Sequence, residues 1–208
     1  MRKKSKLVHG VGINDANYVI MVNHTIGFTE DGKRIKKKLW ICPYYARWKD
    51  MIGRCYSEKI KNKFKTYIDC QAVPEWHYFM NFRAWMEKQD WHGKVLDKDV
   101  LVPGNKVYGP ETCIFVDQKV NGFVIDNASC RGDLPIGVWR KGNKFAAGCF
   151  DVQKSKNKYL GIFETPEEAH QAWLSFKLEQ AKILASRQTD PRVAKALIER
   201  YENYVGLR

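Results

Sequence analysis

The tetrad Leu96-Asp97-Lys98-Asp99 puts two carboxylates two residues apart. In an extended backbone, side chains alternate, so Asp97 and Asp99 share one face of a strand while Leu96 and Lys98 take the other. Carboxylates so paired supply the oxygen ligands that hard cations take. They equally cap a turn or pair with a neighbouring lysine, and both readings stand at this point. Lys98 itself is a poor general base near neutral pH unless burial lowers its pKa strongly. His77 and His92 offer imidazoles for that role, although each also reads as an ordinary surface or core histidine. No Ser-His-Asp order, phosphate loop or dinucleotide fingerprint competes for the chemistry.

Composition narrows the partners. The chain has 208 residues, 44% of them hydrophobic, enough for one or two small cores. Lys and Arg number 36 against 23 acids, a formal charge of +13. That exceeds the magnitude of about 2–8 that keeps a small domain soluble. It favours a polyanion, because each cation near a phosphate releases condensed counterions. No apolar run approaches the ~20 residues of a membrane span, and the basic N-terminus lacks the apolar core of a signal peptide. A soluble protein of the bacterial cytoplasm, associated with nucleoid or phage DNA and not with membrane, is expected. Six cysteines (42, 55, 70, 113, 130 and 149) stand singly with no CxxC pair. That favours reduced, buried thiols over a zinc site, for which Cys42, Cys55, Cys70 and Cys113 are the least implausible quartet.

Certain elements must position these residues. Residues 1–40 form a basic arm with nine Lys/Arg against three acids. A candidate strand at residues 18–22 and an Asp31-Gly32 turn before Lys33–Lys38 suggest a hairpin that carries phosphate-seeking charge. Tyr45, Trp48, Met51, Ile52 and Cys55 recur at spacings of three and four, which predicts a helix from Pro43 to Tyr56. A second, aromatic helix is predicted over Trp76–Met86, its rings mostly core, since duplex DNA has no unstacked bases to offer them. A short strand at Leu96–Asp99, a turn at Pro103-Gly104-Asn105, a helical turn after Pro110 and the run Cys113–Val116 follow. Residues 126–133 read as a linker.

Beyond it the alternation is clear. Strands are predicted at residues 136–141, 144–151 and 158–163, the first two joined by a Gly142-Asn143 turn. Thr165-Pro166-Glu167-Glu168 is a helix start, with Thr as cap, Pro at the first position and Glu at the third. Ala169, Ala172, Trp173, Phe176 and Ile183 then line the face that packs on the sheet. The other sheet face is left open. A final helix, from Pro191 to residue 205, serves as a clasp on the core or as a homodimer contact. The fold class is therefore α+β: a helical, ββα-containing N-terminal part, then a three-stranded antiparallel sheet packed on one helix.

The stretch GDLPIGVWRKGNKFAAGCFDVQKSKNKYLGIFETPEEAHQAW resembles the ethylene-response-factor type of DNA-binding domain, whose plant members carry a GVR…KFAAEIR…LGTFDTPEEAA pattern. The resemblance implies a sheet lying in the major groove of double-stranded DNA. It puts base-contacting positions on Trp139 and Lys141, Gly148 and Phe150, and Asn157 and Tyr159. Arg140, Lys144, Lys154, Lys156 and Lys158 surround the sheet as phosphate partners. Several of these positions depart from the Arg- and Trp-rich plant pattern, so the fold analogy transfers and the base preference does not.

LDKDVLVPGNKVYGPETCIFVDQKVN in turn resembles the HNH frame of phage and mobile-element homing endonucleases, which hydrolyse a phosphodiester with a metal, an acid and a His. The resemblance puts Asp97 at the acid, Lys98 at the usual His, and Asp97, Asp99 and Asn121 as oxygen ligands for Mg²⁺. Similar phage proteins also carry an LDKD block, so the lysine alone does not exclude cleavage. The implied organisation is a basic arm (1–40), an HNH-like domain (41–125), a linker (126–133), the sheet domain (134–186) and a C-terminal helix (187–208). Three classes of function follow. The leading one is a sequence-specific duplex-binding repressor of homing-endonuclease descent, its cleavage weakened or lost. The second is an active nicking or homing endonuclease, and the third an RNA-binding protein.

Overall fold

The computed structural model describes residues 7–125 and 132–204. The fold is α+β. It divides into two compact units. The first holds the described residues up to Lys98 together with Asn105–Phe115; the second holds Asp99–Gly104 and the described residues from Val116 onward. The chain thus passes into the second unit before the expected linker, whose residues 126–131 lie outside those described, as does Cys130.

The first unit opens with a hairpin. Strands β1 (Met21–Phe28) and β2 (Arg34–Ile41) pair antiparallel. Their turn is closed by Thr29 and Lys33, and Gly32 sits at φ +76°. The strand begins later than the expected residues 18–22, because the Ile20 carbonyl accepts instead from Cys42 N–H (2.8 Å) at the hairpin root. Helix α1 (Pro43–Tyr56) buries Tyr45, Trp48, Met51, Ile52 and Cys55 on its predicted face. The indole of Trp48, with no exposed surface, donates to the Trp76 carbonyl at 2.8 Å. Short helix α2 (Glu58–Lys63) and strand β3 (Gln71–Ala72) follow.

The predicted second helix is broken. A 3-10 turn at Pro74–His77 precedes α3 (Phe79–Met86), with Tyr78 extended between them. Ile13 explains the break. Its N–H donates to the His77 carbonyl (2.8 Å) and its own carbonyl accepts from Phe79 N–H (3.0 Å), so groups that would continue a helix are used elsewhere. Trp76, Phe79 and Phe82 are all buried, Trp76 and Phe82 edge to face at 5.0 Å. Strand β4 (Val95–Asp97) pairs with β6 (Ile114–Val116), and β3 runs parallel to β5 (Val107–Tyr108). Burial alternates as expected through the tetrad: Leu96 and Lys98 are buried, Asp97 and Asp99 half-exposed.

The second unit contains α4 (Gln118–Val124) and the sheet β7-β8-β9 (Val138–Lys141, Lys144–Asp151, Lys156–Phe163). Helix α5 (Pro166–Ala185) packs across the sheet, and α6 (Pro191–Glu202) packs on α5. The Thr165 cap forms in full: its hydroxyl accepts from Glu168 N–H (3.2 Å), and the Glu168 carboxylate accepts from Thr165 N–H (3.3 Å). Sheet and helix come close at Gly137, where a Cβ would stand 1.9 Å from the Trp173 ring. Val193, Leu197 and Tyr201 of α6 are buried, the clasp arrangement of the two expected.

Candidate nucleic-acid interface

Register decides which side chains share a face. In an antiparallel pair, directly opposed residues project to the same side. Trp139 opposes Ala146, which opposes Ile162; Gly148 opposes Tyr159, and Phe150 opposes Asn157. The β8–β9 register shifts between Ala147 and Gly148, with the extra residue on β9, so residues 146, 148 and 150 still alternate along β8 and all these pairs lie on one face, as does the Lys141–Lys144 pair at the sheet's end. Ala147, Cys149 and Asp151 take the opposite face and are buried. All six positions assigned from the family resemblance (Trp139, Lys141, Gly148, Phe150, Asn157 and Tyr159) therefore fall together on the face away from α5.

That face is aromatic and open. Trp139, Phe150 and Tyr159 keep 43%, 45% and 50% of their surface, unusual for large rings that could otherwise be buried. Trp139 and Tyr159 lie 6.1 Å apart, centroid to centroid. The Lys141 ammonium stands 5.2 Å from the Tyr159 ring and 3.5 Å from its hydroxyl. Gly148 lets the Trp139 ring lie across β8, since a Cβ there would meet that ring at 3.0 Å and the Lys158 carbonyl at 3.2 Å. A depression of about 420 Å³ opens among Trp139, Phe150, Asn157 and Tyr159 and reaches Trp173 and Lys177.

The surrounding cations are distributed less simply. Lys144 forms an ion pair with Glu164. Arg140 opposes Phe145, Lys158 opposes Cys149 and Lys156 opposes Asp151, which puts all three on the α5 side. Lys158 lies over the Phe176 ring at 4.3 Å, and Arg140 over Phe145 at 5.3 Å. These three cations thus stand on the α5 side of the sheet, while Lys141 and Lys144 stand on the open face itself. Lys154 belongs to the β8–β9 turn, whose backbone is tied by Asp151: its carboxylate accepts from Gln153 and Lys154 N–H, both at 3.0 Å. Those donors hold the Asp151 carboxyl below its ordinary pKa.

Lys177 is a residue that sequence reasoning missed. It lies on the core side of α5, only 9% exposed, with its ammonium donating to the Phe123 carbonyl at 2.9 Å and standing 3.4 Å from that ring. Burial brings its pKa down to about 8. The signal was there as spacing, four residues beyond Trp173, and was hidden by residue type.

The tetrad residues are placed differently. Asp97 and Lys98 belong to the first unit, Asp99 and Asn121 to the second. Lys98 donates its ammonium to the Asn105 carbonyl, while the Asn105 amide donates to the Lys98 carbonyl (3.0 Å) and the Val107 carbonyl (2.7 Å). This reciprocal pair ties off the loop between β4 and β5. By donor type Asp97, Asp99 and Asn121 suit magnesium; no group of three or more His, Cys, Asp or Glu side chains is gathered for a metal among the described residues. His77 Nε2 lies 2.9 Å from the Tyr56 hydroxyl, and His92 stacks on Trp91 at 3.8 Å. The five described cysteines are buried, and burial pushes the Cys55 and Cys113 thiols up to about 12, which keeps them protonated.

No helix among the described residues is long and apolar enough to cross a membrane. Comparison of the chain with protein-family models, curated proteins and solved structures gave no match.

Proposed function

We propose that the protein binds double-stranded DNA sequence-specifically through the open face of β7-β8-β9, and that it is a repressor of homing-endonuclease descent, from a phage or mobile element, in which cleavage is weakened or lost. One observation carries the reading: the six positions singled out from the sequence converge on one exposed, aromatic face, with the Lys141–Lys144 pair at its end. A face of that kind suits the major groove, about 12 Å wide, where Lys141 donates to guanine, the Asn157 amide pairs with adenine, and the rings contact thymine methyls and sugars. Arg140, Lys144, Lys154, Lys156 and Lys158, which surround the sheet, supply phosphate contacts. The tied-off Lys98 supports the loss of cleavage, since a buried amine bonded to the Asn105 carbonyl is not placed to take a proton from water.

Incubating the protein with a pool of phage and plasmid duplexes and magnesium, then recovering bound fragments and any new ends, tests this. Discrete bound sites with intact strands are expected. Discrete ends that vanish with chelator and with Asp97→Ala would replace the repressor by a metal-dependent nicking endonuclease. Preference for single-stranded RNA at matched salt would remove the duplex reading altogether.

A further inference from the structure

The β1–β2 hairpin contributes little to either core. Its burial pattern is exposed at nearly every position of both strands, leaving Ile26, Phe28 and Leu39 with 58%, 65% and 61% of their surface. A two-stranded ribbon alone is marginally stable in water. This one is anchored at its root, where the Cys42–Ile20 backbone bond forms, Ile20 and Ile41 pack on the core, and the Tyr18 ring lies under Arg83 at 4.7 Å.

Its charges are ordered. Lys33, Arg34, Lys36, Lys37 and Lys38 face two acids, Glu30 and Asp31, both confined to the turn, where Asp31 pairs with Lys33. Between two bulges the register is regular: Asn23 opposes Lys38, His24 opposes Lys37 and Thr25 opposes Lys36. Asn23, Thr25, Lys36 and Lys38 therefore project to one side, His24 and Lys37 to the other. The first set contains the donor and acceptor types that read base edges; the second suits phosphate. The flanking bulges add right-handed twist. Eight antiparallel residues span about 27 Å, the rise of about eight base pairs, and a two-stranded ribbon fits the major groove.

We infer that the β1–β2 hairpin is a second duplex-contacting element, entering the major groove with Asn23, Thr25, Lys36 and Lys38 toward the bases. The inference rests on the duplex-binding reading. Charge selects this occupant over a second copy of the chain, which would bring Lys36–Lys38 against themselves. Cations on both faces also argue against a membrane surface, which needs one continuous apolar face.

A duplex is first selected from a random pool with the full-length protein; affinities for it and for random duplex are then compared at matched salt for wild type, Lys36→Ala with Lys38→Ala, Lys37→Ala, and Trp139→Ala. These hairpin side chains are exposed, so circular dichroism should be unchanged. The double variant is expected to lose at least about 10-fold more affinity for the selected duplex than for random duplex, and Lys37→Ala to weaken both equally. Undiminished selectivity in the double variant, with selectivity lost in Trp139→Ala, overturns the hairpin's role and leaves the sheet's intact. Failure of the wild type to select any duplex overturns both. Capture by anionic vesicles in preference to duplex, or self-association that the double variant abolishes, would also overturn it.

Discussion

Lys177 occupies a position where the helical repeat calls for an apolar side chain, one turn beyond Trp173. Its ammonium is held by the Phe123 carbonyl and by rings from Phe123, Trp173 and Tyr201. With a folded pKa of about 8 against an ordinary value near 10.4, the amine has released its proton in the folded chain over a window where the unfolded chain still carries one. Raising the pH from about 8 to about 10 therefore stabilises the fold through this group, by up to about 3 kcal/mol. Below pH 8 both states are protonated and the contribution is constant. Urea unfolding across that range should show the rise in wild type and its loss in Lys177→Met; identical profiles would mean that Lys177 stays charged in the folded protein. The Phe123 carbonyl remains satisfied in the variant, because it also accepts from the Tyr201 hydroxyl at 3.2 Å. Gln180 was hidden from sequence reading in the same way: a polar type on the core face, here accepting from Val152 N–H at 2.9 Å. Ile183, expected on that face, is only half-buried, and Leu184 takes the core position.

At the scale of elements, the seam between sheet and helix depends on Gly137. Its φ of +80° and its contact with Trp173 both exclude a Cβ. Gly137→Ala should cost about 3 kcal/mol in urea unfolding, from left-handed strain and overpacking together; a loss under about 1 kcal/mol would mean that the seam relaxes easily. This part of the fold was legible because its signals are local: alternation for the strands, Gly142-Asn143 for the turn, and the Thr165–Glu168 cap for α5. Lys156 and Asn157 join β9 beyond the expected start, since pairing with Asp151 and Phe150 extends it. Elsewhere distant partners decided. Tyr78 breaks a helix because Ile13, far away in sequence, takes the backbone bonds, and the parallel β3–β5 pair is too short to leave any pattern. The six-residue face could be read from parity alone, since strand period fixes it. The placement of the cations could not: only the register shows that Arg140, Lys156 and Lys158 project toward α5.

For the whole molecule, a charge of +13 makes association with any polyanion expected, so affinity alone says little. What separates a reader from a basic adhesive is discrimination between sequences, and that must come from groups at base edges. Base discrimination is assigned to one surface, the open face of β7-β8-β9, and competition at matched salt between a selected duplex and random duplex, for wild type and for a Trp139→Ala, Tyr159→Ala variant, tests it. Both rings are exposed, so the variant keeps the fold and the net charge. The variant is expected to lose at least about 10-fold in affinity for the selected duplex and much less for random duplex. Equal affinities for wild type and variant on both duplexes would contradict that assignment, and would move the site of DNA contact away from the sheet.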